Sequence, residues 1–244
     1  MTITIVETGL ANVASVRAAF KRLGRQTRLT KDPIEVRQAD RLVLPGVGSF
    51  GAGMAQLNEL KLIEPLRTRI ADDRPTLGIC LGLQIAIIEM ARNMLKLKDA
   101  NSTEFKKNTK NNVISLVTEW KNEDGTIEKR DQKSDKGGTM RLGAQKASLK
   151  KGTLARQLYK NNSIYERHRH RYEVNPEYVP MLEEKGLIIS ARSEMHNLVE
   201  MIELDNHPWF VACQFHPEFT SKPKKGHPLF NDFINTAVKL RGKK

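Results

Sequence analysis

The chain is poor in cysteine, in aromatic residues and in acid relative to base. Cys80 and Cys213 are the only cysteines in 244 residues. Two thiols cannot build a disulfide framework or a cysteine-rich zinc site, which makes a thiol with a chemical role the more informative option. No apolar run is long enough to cross a bilayer, and the opening MTITIV lacks the basic region and cleavage site of a signal peptide. The expectation is a cytoplasmic protein with no membrane association. Acid is scarce beside base, with a net charge of +13 and a pI near 9.8. Clustered cations neutralise phosphates, but here the bases are spread along the chain and no nucleic-acid module accompanies them. A solvated basic surface is therefore expected, not a nucleic-acid partner.

What is present starts with GICLGLQ, residues 78–84. An apolar run at 75–79 reads as a short buried strand, and the pattern from Leu83 to Leu97 reads as a helix. Cys80 sits at the joint. A nucleophile on a sharp strand-to-helix turn is held in strained backbone, which leaves room only for small neighbours two residues away on either side. Gly78 and Gly82 supply them. The turn also aims the backbone N–H of Leu81 and the helix N-terminus at the sulfur, where negative charge would develop. Taken alone, the heptapeptide also suits an inert buried cysteine.

The rest of the chain alternates strand and helix signals. Strands are expected at 3–6, 26–30 and 41–44, with Asn12 capping a helix that Gly24 closes. The third strand runs into PGVGSFG, residues 45–51, where glycines let backbone approach a ligand, although a simple tight turn explains them equally. Helices follow at 52–60 and 62–71. Beyond the Cys80 helix comes DANSTEF, and a polar, lysine-rich insertion is expected at about 105–136, interrupted by a strand-like 113–117. Further on, 153–159 and 178–184 read as helices and 164–175 as a strand region, whereas 187–191 and 198–204 read as the antiparallel edge of a mixed sheet. A buried strand at 210–215 ends in His216-Pro217-Glu218, and a helix starts near His227 and ends near Leu240. The fold expected is α/β, a single domain over 1–244 with a mostly parallel sheet between helix layers.

His-x-Glu on extended backbone points both side chains to one face, so a carboxylate can orient an imidazole. As an isolated pair it also occurs as a surface contact. Together with the cysteine elbow and the glycine loop, it completes a set suited to attack on an amide. Cys80 would be the nucleophile, His216 the base and then the acid, and Glu218 the orienting group. No cofactor or metal is expected, because thiol chemistry with a histidine base needs neither.

With these residues the chain resembles the class I (triad) glutamine amidotransferases, whose flavodoxin-like glutaminase domain hydrolyses L-glutamine and passes ammonia to a synthase. Residues 1–84, with IVETGLANVASV, LPGVGSFG and GICLGLQ, are similar to the glutaminase subunit of imidazole glycerol phosphate synthase of histidine biosynthesis. From about residue 76, LGICLGLQIAIIEMARN, DANSTEF, GGTMRLG, ERHRHRYEVN, LVEMIEL and HPWFVACQFHPEFTS are similar to the glutaminase domain of CTP synthase. The resemblance implies a chimera of 1–84 and 85–244, joined near the elbow and of engineered origin.

It also implies the triad Cys80, His216 and Glu218. Gln84, Glu104 and Arg171 would hold glutamine, the last two through its charged ends. Gly46, Val47 and Gly48 would contact substrate, with Val47 completing an oxyanion hole with Leu81. Cys213 would be a packed core residue. The implied partner is a synthase, either the CTP synthase amidoligase domain or the imidazole glycerol phosphate synthase cyclase subunit, and neither is present in this chain. The alternative is a folded chimeric scaffold with little or no glutaminase activity of its own.

Overall fold

Short apolar strands alternating with amphipathic helices must bury both faces of a sheet, and the first third of the chain does so as a run of βα units. The computed structural model describes residues 2–9, 11–46, 50–116, 119–121, 127–129 and 140–241. The first strand β1 (Thr2–Val6) leads to α1 (Val13–Arg22), β2 (Gln26–Thr30), α2 (Pro33–Gln38) and β3 (Leu42–Gly46). Asn12 caps α1 as expected, its Oδ1 accepting the Ser15 N–H at 3.3 Å. Helix α2 was not anticipated. Asp32 starts it by accepting the N–H groups of Ile34 and Glu35, and Pro33 stands in its first turn.

The chain continues through α3 (Phe50–Glu59), α4 (Ile63–Ala71), β4 (Thr76–Cys80) and α5 (Leu81–Met94). Three short strands follow, β5 (Ile114–Leu116), β6 (Glu119–Lys121) and β7 (Ile127–Lys129), with β6 pairing β7. The expected insertion at 105–136 is not uniformly peripheral. Val113 and Ile114 are fully buried, and β5 pairs with a later strand, so this part belongs to the domain body. The remaining elements are β8 (Arg141–Leu149), α6 (Leu154–Tyr159), β9 (Ser163–His170), β10 (Tyr172–Val174), α7 (Val179–Glu183), β11 (Leu187–Ser193), β12 (Val199–Leu204), β13 (Phe210–Cys213) and α8 (Pro228–Arg241).

Nine strands form one sheet in the order β2-β1-β3-β4-β13-β12-β11-β8-β9. The pairs from β2 through β13 are parallel, and those from β13 to β9 are antiparallel. Strands β11 and β12 are antiparallel, as the sequence suggests, but they lie inside the sheet. The edge is β9, because β8 and β9 extend the sheet beyond β11. The alternation in β8 is diluted by Gly143, Ala144 and Ala147, which hid it as a strand.

Helices cover both faces. One core gathers α2, α3, α4, α5 and α7 around Leu57, Leu83, Ile87 and Ile88. The other gathers α1, α6 and α8 around Phe20, Trp209, Phe230 and Phe233. Cys213, fully buried in the second core, is a packing residue whose thiol burial pushes upward in pKa, as its position on β13 suggests.

Candidate active site

The site is assembled where two adjacent parallel strands end. Gly46 of β3 pairs with Cys80 of β4, and β13 lies on the other side of β4, so the residues after β13 emerge beside Cys80. Carboxyl ends of neighbouring parallel strands are where open α/β sheets hold ligands.

Cys80 has φ 54° and ψ −102°, a conformation that costs a non-glycine residue about 1–3 kcal/mol. Close packing on every side holds it there. A Cβ at Gly82 would lie 2.5 Å from the Leu44 carbonyl oxygen, and one at Gly78 would lie 2.9 Å from Ala212 Cβ. At Gly46 and at Gly53 an added Cβ would collide with the Leu81 side chain. The small residues flanking Cys80 are thus a steric requirement of the turn. Leu81 is the first residue of α5, where backbone N–H groups have no partner within the helix. Val47 and Gly48 lie outside the described residues.

His216 is fully buried, and its Nδ1 lies 2.9 Å from Glu218 Oε1. Glu218 stands in a single 3-10 turn, Pro217–Phe219, immediately after His216. The Phe219 ring packs over the imidazole at a centroid distance of 5.2 Å. Burial by itself would lower the His216 pKa, but the Cys80 sulfur beside it and the Glu218 carboxylate outweigh that effect and raise it to about 10. The other ring nitrogen, Nε2, is buried and makes no hydrogen bond of normal geometry, so it is left to the sulfur.

The residues expected at the substrate end also converge. Gln84 Nε2 donates to the Tyr172 carbonyl at 2.9 Å and to Gln214 Oε1 at 3.3 Å. Its amide N–H groups are therefore occupied by protein, which makes it part of the wall more than a free donor. Burial raises the Tyr172 pKa, Glu104 adds to the rise and Arg171 opposes it, so both charged residues lie within reach of that ring. The Arg171 Nε is buried with no acceptor among the described residues.

Gln214 was missed by sequence reasoning. It is fully buried, its N–H donates to the Glu200 carbonyl at 2.8 Å, and its Nε2 lies 3.7 Å from Cys80 Sγ. The available signal was its place two residues before His216, on the segment that leaves β13 beside Cys80. Among the described residues, no group of three or more His, Cys, Asp or Glu side chains is placed to hold a metal ion.

A cysteine elbow and an imidazole paired to a carboxylate together have the parts for acyl transfer from an amide. The family model for class-I glutamine amidotransferases matches residues 4–236. The chain belongs to this family. Among solved structures it is similar to the glutaminase domain of Trypanosoma brucei CTPS with bound acivicin, at 28% identity and a TM-score of 0.79, with 98% of this chain and 94% of that chain covered. A Thermoplasma acidophilum protein described as one component of a GMP synthase matches at 20% identity and a TM-score of 0.62, covering 99% of this chain and 96% of that one. A further glutamine amidotransferase matches at 14% identity and a TM-score of 0.58, covering 96% of this chain and 98% of that one. The last two likenesses show the fold alone. As a class-I amidotransferase domain the chain has the expected α/β architecture, and no described helix is long and apolar enough to cross a membrane.

Proposed function

We propose that this amidotransferase domain hydrolyses L-glutamine to L-glutamate and ammonia through a thioester on Cys80. The observation that carries the reading is the convergence of Cys80, His216 and Glu218 at the ends of β4 and β13. Cys80 Sγ forms a bond to the side-chain carbonyl carbon of glutamine while the proton of the pair is held on His216, whose pKa is raised to about 10. The C–N bond breaks as His216 returns that proton to the nitrogen, and ammonia leaves. Water, deprotonated by His216, then attacks the thioester, yielding glutamate and restoring the pair. Glu218 holds the imidazole on its Nδ1 side, so that Nε2 handles the proton.

The tetrahedral oxyanion is assigned to the N–H of Leu81 at the head of α5 and that of Val47. Arg171, with its unmatched Nε, takes the α-carboxylate of glutamine and Glu104 its ammonium group, near Tyr172. Gln214 lies beside the sulfur with Gln84 bonded to it, and Gly46 and Gly48 are assigned to contact with the substrate.

The ammonia acceptor is a synthase, and the similarity to the T. brucei CTPS glutaminase domain favours an amidoligase that makes CTP. We also propose that residues 1–84 and 85–244 have separate origins, the first from the glutaminase of imidazole glycerol phosphate synthase. What supports the join is that the motifs of residues 1–84 resemble one glutaminase family and those from about residue 76 onward resemble the other.

Acivicin provides the test, since the related T. brucei domain is known with it bound. Intact-protein mass spectrometry should show one covalent adduct on the parent protein and none on Cys80→Ser. Adduct formation on Cys213, or equal labelling of both proteins, would contradict the assignment.

A further inference from the structure

Glu166 of β9 is buried to 3% exposure among three hydrogen-bond donors. Its Oε2 accepts the Thr220 hydroxyl at 2.6 Å, and its Oε1 accepts the Tyr159 hydroxyl at 3.0 Å. His227 Nε2 lies 2.7 Å from the same Oε1. His227 Nδ1 accepts the Leu229 N–H at 3.3 Å, which leaves the ring proton on Nε2, directed at Glu166. One carboxylate thereby joins α6, the start of α8 and the segment after Glu218.

Nothing in the proposed chemistry uses this cluster, yet its position relative to the reacting groups is specific. The turn bearing Glu218 is fastened to β9 at both ends. At its start the His216 N–H donates to the Arg167 carbonyl at 2.9 Å, and at its finish Thr220 is held by the side chain of Glu166, one residue earlier on β9. Within the turn, the Phe219 N–H donates to the His216 carbonyl at 3.1 Å and the Thr220 N–H to the Pro217 carbonyl at 3.3 Å. The backbone bond fixes His216, whereas the side-chain bond of Thr220 ties the far end to β9, with Arg22 Nη1 donating to the Ser221 carbonyl at 3.3 Å just beyond, and so sets the reach of Glu218 to Nδ1.

We propose that Glu166 is a positioning residue for the reaction: through Thr220 it clamps the Pro217–Phe219 turn and sets the contact of Glu218 with His216. The inference rests on the glutaminase reading for its kinetic consequence. Thr220→Val keeps the shape and deletes the hydroxyl, and Thr220→Ser keeps the hydroxyl. With displacements below an ångström able to cost up to about a hundredfold in rate, Thr220→Val should lower kcat roughly tenfold with KM for glutamine nearly unchanged. Thr220→Ser should restore it. Glu166→Gln should behave like Thr220→Val.

The His216 titration followed by NMR supplies a readout that needs no glutamine turnover. Its midpoint should fall in Thr220→Val and return in Thr220→Ser, because a displaced Glu218 supports the imidazolium less. A folded Thr220→Val that only melts earlier, with parent kcat and parent His216 midpoint, would show a purely structural cluster and overturn the proposal. If the parent releases no glutamate, the glutaminase reading fails, and the NMR comparison alone still decides whether Glu166 and Thr220 position Glu218.

Discussion

Cys80 is the residue on which the rest depends, and its left-handed backbone is held against strain by neighbours that cannot grow. Gly82→Ala would drive a methyl group into the Leu44 carbonyl, a backbone atom that cannot swing away. The expected outcome is a loss of about 1–3 kcal/mol of stability, read by thermal melting, together with a rate loss on the order of a hundredfold. Of all the site features, this one was the most legible in the sequence, because glycines spaced two residues either side of a cysteine reflect a local steric need. His216 and Glu218 were legible as neighbours on one segment, but the extended backbone expected there is a 3-10 turn, Pro217–Phe219, and it is the turn that brings the carboxylate to Nδ1. Gln84, Glu104, Arg171 and Gln214 were not legible by spacing. They come from separate elements, and their convergence near Cys80 and Tyr172 is a product of packing.

The raised pKa of His216 has a cause that can be removed. With Cys80→Ala the sulfur's contribution disappears while Glu218 and burial remain, so the midpoint should drop below its value of about 10 in the parent. The sign for stability follows. A folded pKa above the unfolded value of about 6.5 contributes stability that is fully present below pH 6.5 and is lost as pH rises toward 10. The melting temperature of Cys80→Ala should therefore depend less steeply on pH over that window than that of the parent.

At the scale of elements, β4 must be anchored at its start for Cys80 to be placed at its end. Arg69 of α4 does this from within the core. Its guanidinium donates to the Thr76 hydroxyl at 2.9 Å and to the carbonyls of Val36 at 2.5 Å, Pro75 at 2.9 Å and Ala39 at 3.2 Å. Burial lowers its pKa to about 9, with Arg74 contributing and Asp40 opposing. Arg69→Leu would take this donor from the buried Val36 and Ala39 carbonyls, while Pro75 keeps the Leu42 N–H, so a loss of about 3–5 kcal/mol is expected in denaturant unfolding. An exposed arginine on an amphipathic helix is the ordinary reading of that position, and only the tertiary structure shows otherwise.

A second buried group ties the antiparallel strands together. Arg141 of β8 bonds Glu173 at 2.9 Å and Glu200 of β12 at 2.6 Å, with His168 and His170 alongside. Burial raises the Glu200 pKa to about 8, Glu173 adding to the rise and Arg141 opposing it. An acid whose folded pKa exceeds its unfolded value contributes stability below about pH 4.5 that fades as pH rises through 8. Glu200→Gln should flatten the decline in melting temperature between about pH 4.5 and 8. A variant that keeps the parent slope would contradict this account.

Across the whole molecule, alternating βα signals announced the parallel half of the sheet because each unit buries its own faces locally. The antiparallel half was harder to read. Strand β8 holds its place through long-range pairing with β9 and β11, and its small, weakly alternating side chains give little local sign of it. A cavity between α4 and α5, lined by Ile63, Leu66 and Ile70 of α4 and by Ile85 and Ala86 of α5, belongs to this scale too, since neither helix alone defines it. At roughly 24 cal/mol per Å³ of empty space, filling about 50 Å³ is worth about 1 kcal/mol. Ala86→Val should raise the melting temperature by about 2–4 °C if the methyl groups enter the space without strain.

The central claim is that one thiol, reached from two strand ends, turns glutamine into glutamate and ammonia. Glutamate release at saturating glutamine should be measured for the parent and for Cys80→Ala, with both shown to be folded by circular dichroism. The account predicts steady release from the parent and none above background from the variant. Equal release by the two proteins, or no release by a well-folded parent, would contradict it, and the second result would favour a folded scaffold that does not turn over glutamine by itself.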